Sequence, residues 1–214
     1  LIFFTSDHGA SVGEHGHYEY VPGQSGPKMP DFIDNSFENW GRPNSFVDHG
    51  LGFGEAATAP LRGHKATLNE GGLRAAGFVY YPQAIAAGQI DHEMKSFIDF
   101  LPTFLDIAGT EHPGAGPYKD RTIKGIKGRS FWPTLTGESD QPRPDTDTVG
   151  WEYRKAGALI RGNYKLINSQ PGVREVTEWQ LYDLSVDPGE RHDLSQKMPD
   201  LVAELVTEWE AEWR

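Results

Sequence analysis

Two places in the chain combine residue types able to handle a cation or an oxyanion. The first is Asp7-His8-Gly9. A carboxylate beside an imidazole can hold a divalent ion. Neighbours in an extended strand point to opposite faces, so both reach one ion only where the chain turns, and Gly9 permits that turn. A solvated loop end is the plain alternative. The second place is Lys65, flanked by Gly63 and His64 and followed by Glu70-Gly71-Gly72-Leu73-Arg74. An ammonium on a rigid loop is a compact positive charge for an oxyanion, against the plain reading of a surface lysine. Arg74 stands four residues after Glu70 and reads as its structural partner. A third stretch, Gly13-Glu14-His15-Gly16-His17, could supply a proton donor, a leaving-group contact or a metal loop. Solvent-facing histidines are its ordinary outcome.

These residues need elements to position them. Leu1 to Phe4 is a continuous apolar run, the pattern of a strand buried on both faces of a parallel sheet. Ligands of open α/β sheets bind beyond the carboxyl ends of strands, which is where Asp7 and His8 fall. Residues 10–60 read as loop, with a short helix near 34–40 capped by Asn35 or Ser36. A loop of that length in a compact domain is usually functional. Phe78 to Tyr81 reads as a strand. Asp99 to Gly109 predicts a helix capped by Asp99, with Phe100, Leu101, Phe104, Leu105 and Ala108 as its apolar face.

A stretch rich in Pro and Asp from Pro142 to Asp147 marks the expected boundary, giving domains at 1–140 and 141–214. In the second, residues 150–153, 158–161, 164–167 and 179–184 read as short strands. Gly162-Asn163 is a tight hairpin signal. Leu201, Leu205 and Trp209, with Val202 and Val206, form a helical stripe. A small antiparallel sheet covered by one C-terminal helix is the expected assembly.

Composition narrows the classes. The 214 residues carry 20 basic and 31 acidic side chains, a net charge of −11. Such a surface repels nucleic acid and anionic membranes, which are held by Lys and Arg clusters. A small anion is repelled too, unless a bound cation and a nearby lysine reverse the field at one point. With no cysteine, disulfides, cysteine-ligated zinc and a cysteine nucleophile are excluded. That lack suits cytoplasm or periplasm alike. No apolar run approaches the ~20 residues needed to cross a bilayer. The start at Leu1, without Met or a signal-peptide pattern, reads as a point inside a longer protein. Nucleotide-binding glycine loops and a G-x-S-x-G elbow are absent.

Taken in order, several segments resemble type I sulfatases of the alkaline phosphatase superfamily. Phe4-Thr5-Ser6-Asp7-His8-Gly9 is similar to their second metal-binding motif, and Pro60 to Lys65 with Glu70 to Arg74 is similar to their substrate-lysine segment. Asp99 to Gly109, Leu181-Tyr182-Asp183-Leu184, Asp187-Pro188-Gly189-Glu190 and His192-Asp193-Leu194 resemble later landmarks. Asp34 to Asn39 and Glu55 to Pro60 look most like bacterial arylsulfatases of the Pseudomonas type.

The resemblance implies an α/β chain, the C-terminal part of an alkaline-phosphatase-like sandwich (a mixed sheet with flanking helices), plus the small antiparallel sheet and helix. It implies that Asp7 and His8 ligate a divalent metal, calcium first, with magnesium or manganese open because His8 stands where asparagine is commoner. Lys65 would be catalytic, neutralising a sulfate oxygen and the charge developing on the leaving alcohol, and His15 would contact substrate. The family's formylglycine arises in a C/S-x-P-S-R motif that these residues lack; in Ser169-Gln170-Pro171-Gly172-Val173-Arg174 the arginine comes one residue late. The nucleophile and the family's paired aspartates are therefore expected upstream, and the isolated chain is expected to be inactive and poorly stable. The expected substrate is a small sulfate ester. A phosphonate monoester or phosphodiester hydrolase and a non-catalytic binding module are the alternatives.

Overall fold

The computed structural model describes residues 1–12, 33–45, 47, 50–170 and 176–214. The chain divides into two compact units, Leu1–Phe4 with Gly77–Val149, and Thr5–Ala76 with Gly150–Arg214.

In the first unit, strand β1 (Ile2–Thr5) pairs with β2 (Gly77–Tyr80). Only one face of β1 is packed, contrary to the expectation of burial on both. Phe3 turns inward, its ring centroid 5.2 Å from that of Phe104 and 5.9 Å from those of Phe100 and Phe131. Ile2 and Phe4 are exposed, and Phe4 stacks on Phe78 at 5.2 Å. The period-2 alternation of a strand divides the run in this way.

Helix α3 (Phe100–Ile107) follows a 3-10 turn at Phe97–Asp99. The N-terminal signal sits one turn earlier than predicted: Ser96 and Asp99 form a reciprocal capping box. Asp99 is buried, accepts the Arg129 backbone N–H at 2.9 Å and pairs with Arg143. The most buried position of α3 is Thr103; Leu101 is substantially exposed, and Phe104, though partly exposed, sets its ring against Phe3. Thr103 can be buried because its hydroxyl donates to the Asp99 carbonyl (2.7 Å) and accepts from the Phe131 N–H (3.1 Å). An antiparallel hairpin, β3 (Gly116–Tyr118) with β4 (Arg121–Ile123), and a short α4 (Trp132–Thr136) complete this unit.

The second unit is built on a four-stranded sheet in the order β5 (Thr148–Tyr153), β6 (Ala156–Arg161), β7 (Tyr164–Ile167), β8 (Gln180–Asp183). The predicted Gly162-Asn163 hairpin joins β6 to β7, with Arg161 opposite Tyr164. The register places Leu159, Leu166 and Leu181 in one row. That row is covered by helix α5 (Pro199–Glu212) through Leu205 and Trp209.

The sheet is not covered by that helix alone. Ala158, Ile167 and Tyr182 face the other way and pack on Leu68, with Leu73 against them. Their partner is the 61–76 segment, so the loop that carries Lys65 is one wall of a buried core. α1 (Gly50–Thr58), which the glycines hid in the sequence, leads into it.

Leu205 is fully buried against the leucine row, so Leu205→Ala should destabilise the protein by about 2–5 kcal/mol through lost burial and the cavity left behind. Urea unfolding followed by tryptophan fluorescence measures it. Val186→Ala, at an exposed turn position, should stay within about 0.5 kcal/mol of the parent.

Candidate functional site

Residues 5–10 and 61–76 run against each other along a backbone seam. The Ser6 N–H donates to the Ala76 carbonyl (3.0 Å), the Gly9 N–H to Gly72 (3.0 Å), and the Lys65 N–H to Ala10 (2.9 Å). The seam is tight enough to need glycine. A Cβ added at Gly9 would collide with the Gly71 carbonyl, and one at Gly71 would collide with the carbonyl of Gly63. Asp7-His8 and Lys65, 57 positions apart in sequence numbering between His8 and Lys65, are thus held on adjoining segments by direct hydrogen bonds.

Asp7 is exposed and His8 half-buried. The His8 Nε2 lies 3.1 Å from Asp7 Oδ2, and its Nδ1 lies 2.7 Å from the Gly9 carbonyl. A carbonyl only accepts, so that contact is a hydrogen bond donated by Nδ1, and Nε2 is the ring nitrogen turned toward the Asp7 carboxylate. A backbone acceptor on the remote ring nitrogen is the usual support of a metal-bound histidine. The donor pair therefore fits a divalent ion. It supplies only part of a shell: among the described residues no group of three or more His, Cys, Asp or Glu gathers around one point.

Lys65 rides on a turn closed by the Thr67 N–H on the His64 carbonyl (3.0 Å) and by the Thr67 hydroxyl on the same oxygen (2.8 Å). Ala66 takes a left-handed φ of 69°, a region costly for a residue with a Cβ. The Lys65 side chain is exposed and has no carboxylate partner among the described residues. His15 lies outside the described residues.

Sequence reasoning missed the charged cluster beneath this turn. Lys165 of β7 is wholly buried, with Nζ 2.8 Å from Glu70 Oε1 and 2.8 Å from Glu190 Oε1. The second Glu190 oxygen accepts from the Asn69 side chain (2.8 Å) and the Glu70 N–H (3.2 Å). The second Glu70 oxygen takes Arg74 at 2.6 Å, the pairing that their spacing predicts. Burial pushes the Glu70 carboxyl up, but the combined pull of Lys165 and Arg74 outweighs it and holds the group below its ordinary value. A signal was present: alternation in Tyr164-Lys165-Leu166-Ile167 places Lys165 on the face of Ile167, and an inward lysine demands carboxylates.

Solved structures similar to this chain share its α/β fold, of the alkaline-phosphatase-like kind. A sulfatase from Pseudoalteromonas sp. matches with a TM-score of 0.59 and 20% identity, over 98% of this chain and 36% of that one. Residues 64–212 match the family described as N-sulphoglucosamine sulphohydrolase, C-terminal, and residues 1–110 match the family described as sulfatase. The chain belongs to the sulfatase family. It is 37% identical to an uncharacterized sulfatase of Schizosaccharomyces pombe, over 98% of this chain and 37% of that protein. It is 31% identical to an arylsulfatase of Klebsiella aerogenes, over 52% of this chain and 23% of that one. The chain thus spans well under half the length of these curated relatives.

The seam and the cluster each yield an expected outcome. Gly9→Ala forces two backbones apart, so it should cost at least about 1–3 kcal/mol of stability, read as a lower urea midpoint. Because the Glu70 carboxyl is held below the ordinary value of 4.5, the folded chain binds fewer protons there than the unfolded one. Its contribution is full above that value and is lost as the pH falls through the lower folded value. Glu70→Gln should therefore flatten the acid side of the stability–pH curve; an unaltered acid side would contradict the ion cluster.

Proposed function

We propose that this chain is part of a metal-dependent sulfuric ester hydrolase of the arylsulfatase kind. The whole protein would convert a small sulfate monoester and water to an alcohol and sulfate. The observation that supports this most directly is the hydrogen bond from the Lys65 N–H to the Ala10 carbonyl, which ties the lysine turn to the segment bearing Asp7 and His8 in a chain of the sulfatase family.

In this reading Asp7 and His8 supply part of a cation shell, with calcium assigned first and magnesium or manganese as alternatives that an imidazole nitrogen admits. The bound cation would supply positive charge to the sulfo group. Lys65 does the rest of the charge work in this chain. Its ammonium donates hydrogen bonds to a sulfate oxygen and stabilises negative charge as it develops on the leaving alcohol oxygen. The two positive centres together overcome the repulsion that a net charge of −11 imposes on an anion. His15 is assigned a contact with the substrate. The nucleophile is assigned to a formylglycine outside these 214 residues, where the remaining carboxylate ligands would also lie. Domains at 1–140 and 141–214 stay our assignment, and the segments at 34–39 and 55–60 incline the substrate preference toward aryl sulfates.

The test uses the protein encoded by its complete reading frame. Hydrolysis of nitrophenyl sulfate should exceed that of the matching nitrophenyl phosphonate ester, and the reverse preference would reassign the site to phosphonate or phosphodiester chemistry. Lys65→Ala should lower kcat/KM by about 10²–10³-fold, as for loss of one preorganised charge donor. Chelation should abolish turnover in the parent, and Asp7→Asn should raise the metal concentration needed to restore it. A hydrazide probe for a protein aldehyde should label the active protein. No labelling and no hydrolysis would leave a binding module.

A further inference from the structure

We propose that Lys165 is a positioning residue for this site, acting through a buried clamp that sets where Lys65 and the Asp7-His8 pair stand. The kinetic side of this proposal rests on the sulfatase reading above. Lys165 touches no candidate ligand group. It lies on the inner face of β7, directly opposite Tyr182 and Ile160 across the sheet, and its ammonium joins Glu70 to Glu190 at 2.8 Å each. Glu70 opens the short helix α2 (Glu70–Leu73), and the Glu70 N–H is itself held by the other Glu190 oxygen. That residue is therefore fixed twice, its side chain by Lys165 of β7 and its backbone by Glu190 of the turn after β8.

From α2 the path to the site is short and made of backbone. The Gly71 N–H donates to the Arg62 carbonyl at 2.7 Å, and the Gly72 carbonyl accepts the Gly9 N–H. One further bond, from the Lys65 N–H to Ala10, closes the circuit. Glycines at 9 and 71 let these backbones touch without side chains between them, so a shift of α2 has nothing soft to absorb it. A displacement of about 1 Å at a reacting group is enough to cost about 10²-fold in rate. The ammonium also separates two carboxylates in a dry setting. Without it they repel, and α2 moves away from the 187–190 turn.

Lys165→Met in the complete protein tests this, with Glu190→Gln as a milder second variant that keeps the shape and removes one charge. Two measures are read. Amide exchange at Gly9, Lys65 and Gly71 should quicken at least about tenfold while exchange along α5 stays as in the parent. With nitrophenyl sulfate, kcat should fall at least about tenfold and KM change less than about threefold, the pattern of a misplaced transition-state contact. If Lys165→Met opens the whole fold, seen as faster exchange along α5, Glu190→Gln is judged in its place and should move both measures in the same direction. Unchanged exchange at the three amides in the variant that stays folded overturns the proposal, and so does a kcat equal to the parent's. A parent inert toward sulfate esters sinks the sulfatase reading instead, and the exchange measurement still decides whether the clamp holds the seam.

Discussion

A lysine with no access to water, set between two carboxylates, constrains much of the second unit. Lys165 is isolated from solvent, and an unpaired ammonium there would cost several kcal/mol. Glu70 and Glu190 must accordingly come to it, one from the segment after the lysine turn and one from the turn after β8. Removing one member of such a buried set typically costs about 3–5 kcal/mol, although the set as a whole need not outperform an apolar replacement. Its value lies in geometry. Apolar packing tolerates small slides, whereas a buried ammonium hydrogen-bonded to Glu70 and in ion-pair contact with Glu190 loses its compensation when either carboxylate shifts.

The sheet that carries Lys165 divides its labour between its faces. Leu159, Leu166 and Leu181 meet Leu205 and Trp209 of α5 in an ordinary apolar layer. The opposite face mixes Ala158, Ile167 and Tyr182 with Lys165, and there the covering element is the loop segment around Leu68 to Leu73. One face supplies cohesion, and the other braces the segment that carries Lys65. Placing the candidate groups on loops braced by a packed sheet reconciles the exposure they need with the fixed geometry they also need.

The sequence is legible where the causes of structure are local. The Gly162-Asn163 hairpin needs only two residues of turn chemistry, and the α5 stripe needs only helical period. The turn after β1 and the pairing of Glu70 with Arg74 belong to the same kind. The misses have non-local causes. Lys165 meets Glu70 across 95 positions, so no window could show the pair. Thr103 rather than Leu101 faces inward because Phe131, 28 positions away, donates to its hydroxyl. α1 is hidden in the sequence because Gly50, Gly52 and Gly54 weigh against helix by propensity, yet Gly54 is where Val12 packs closely. At the candidate site, residue types and order identified the segments 5–10 and 61–76, while the hydrogen bonds that join them could come only from coordinates.

The contact of Gly9 with Gly71 bears on how such a protein can diversify. Where two main chains abut, any side chain added at Gly9 or Gly71 pushes them apart, so the junction tolerates little change in residue type. The segments on either side of the junction can vary in length and composition while the relative placement of residues 5–10 and 61–76 stays the same.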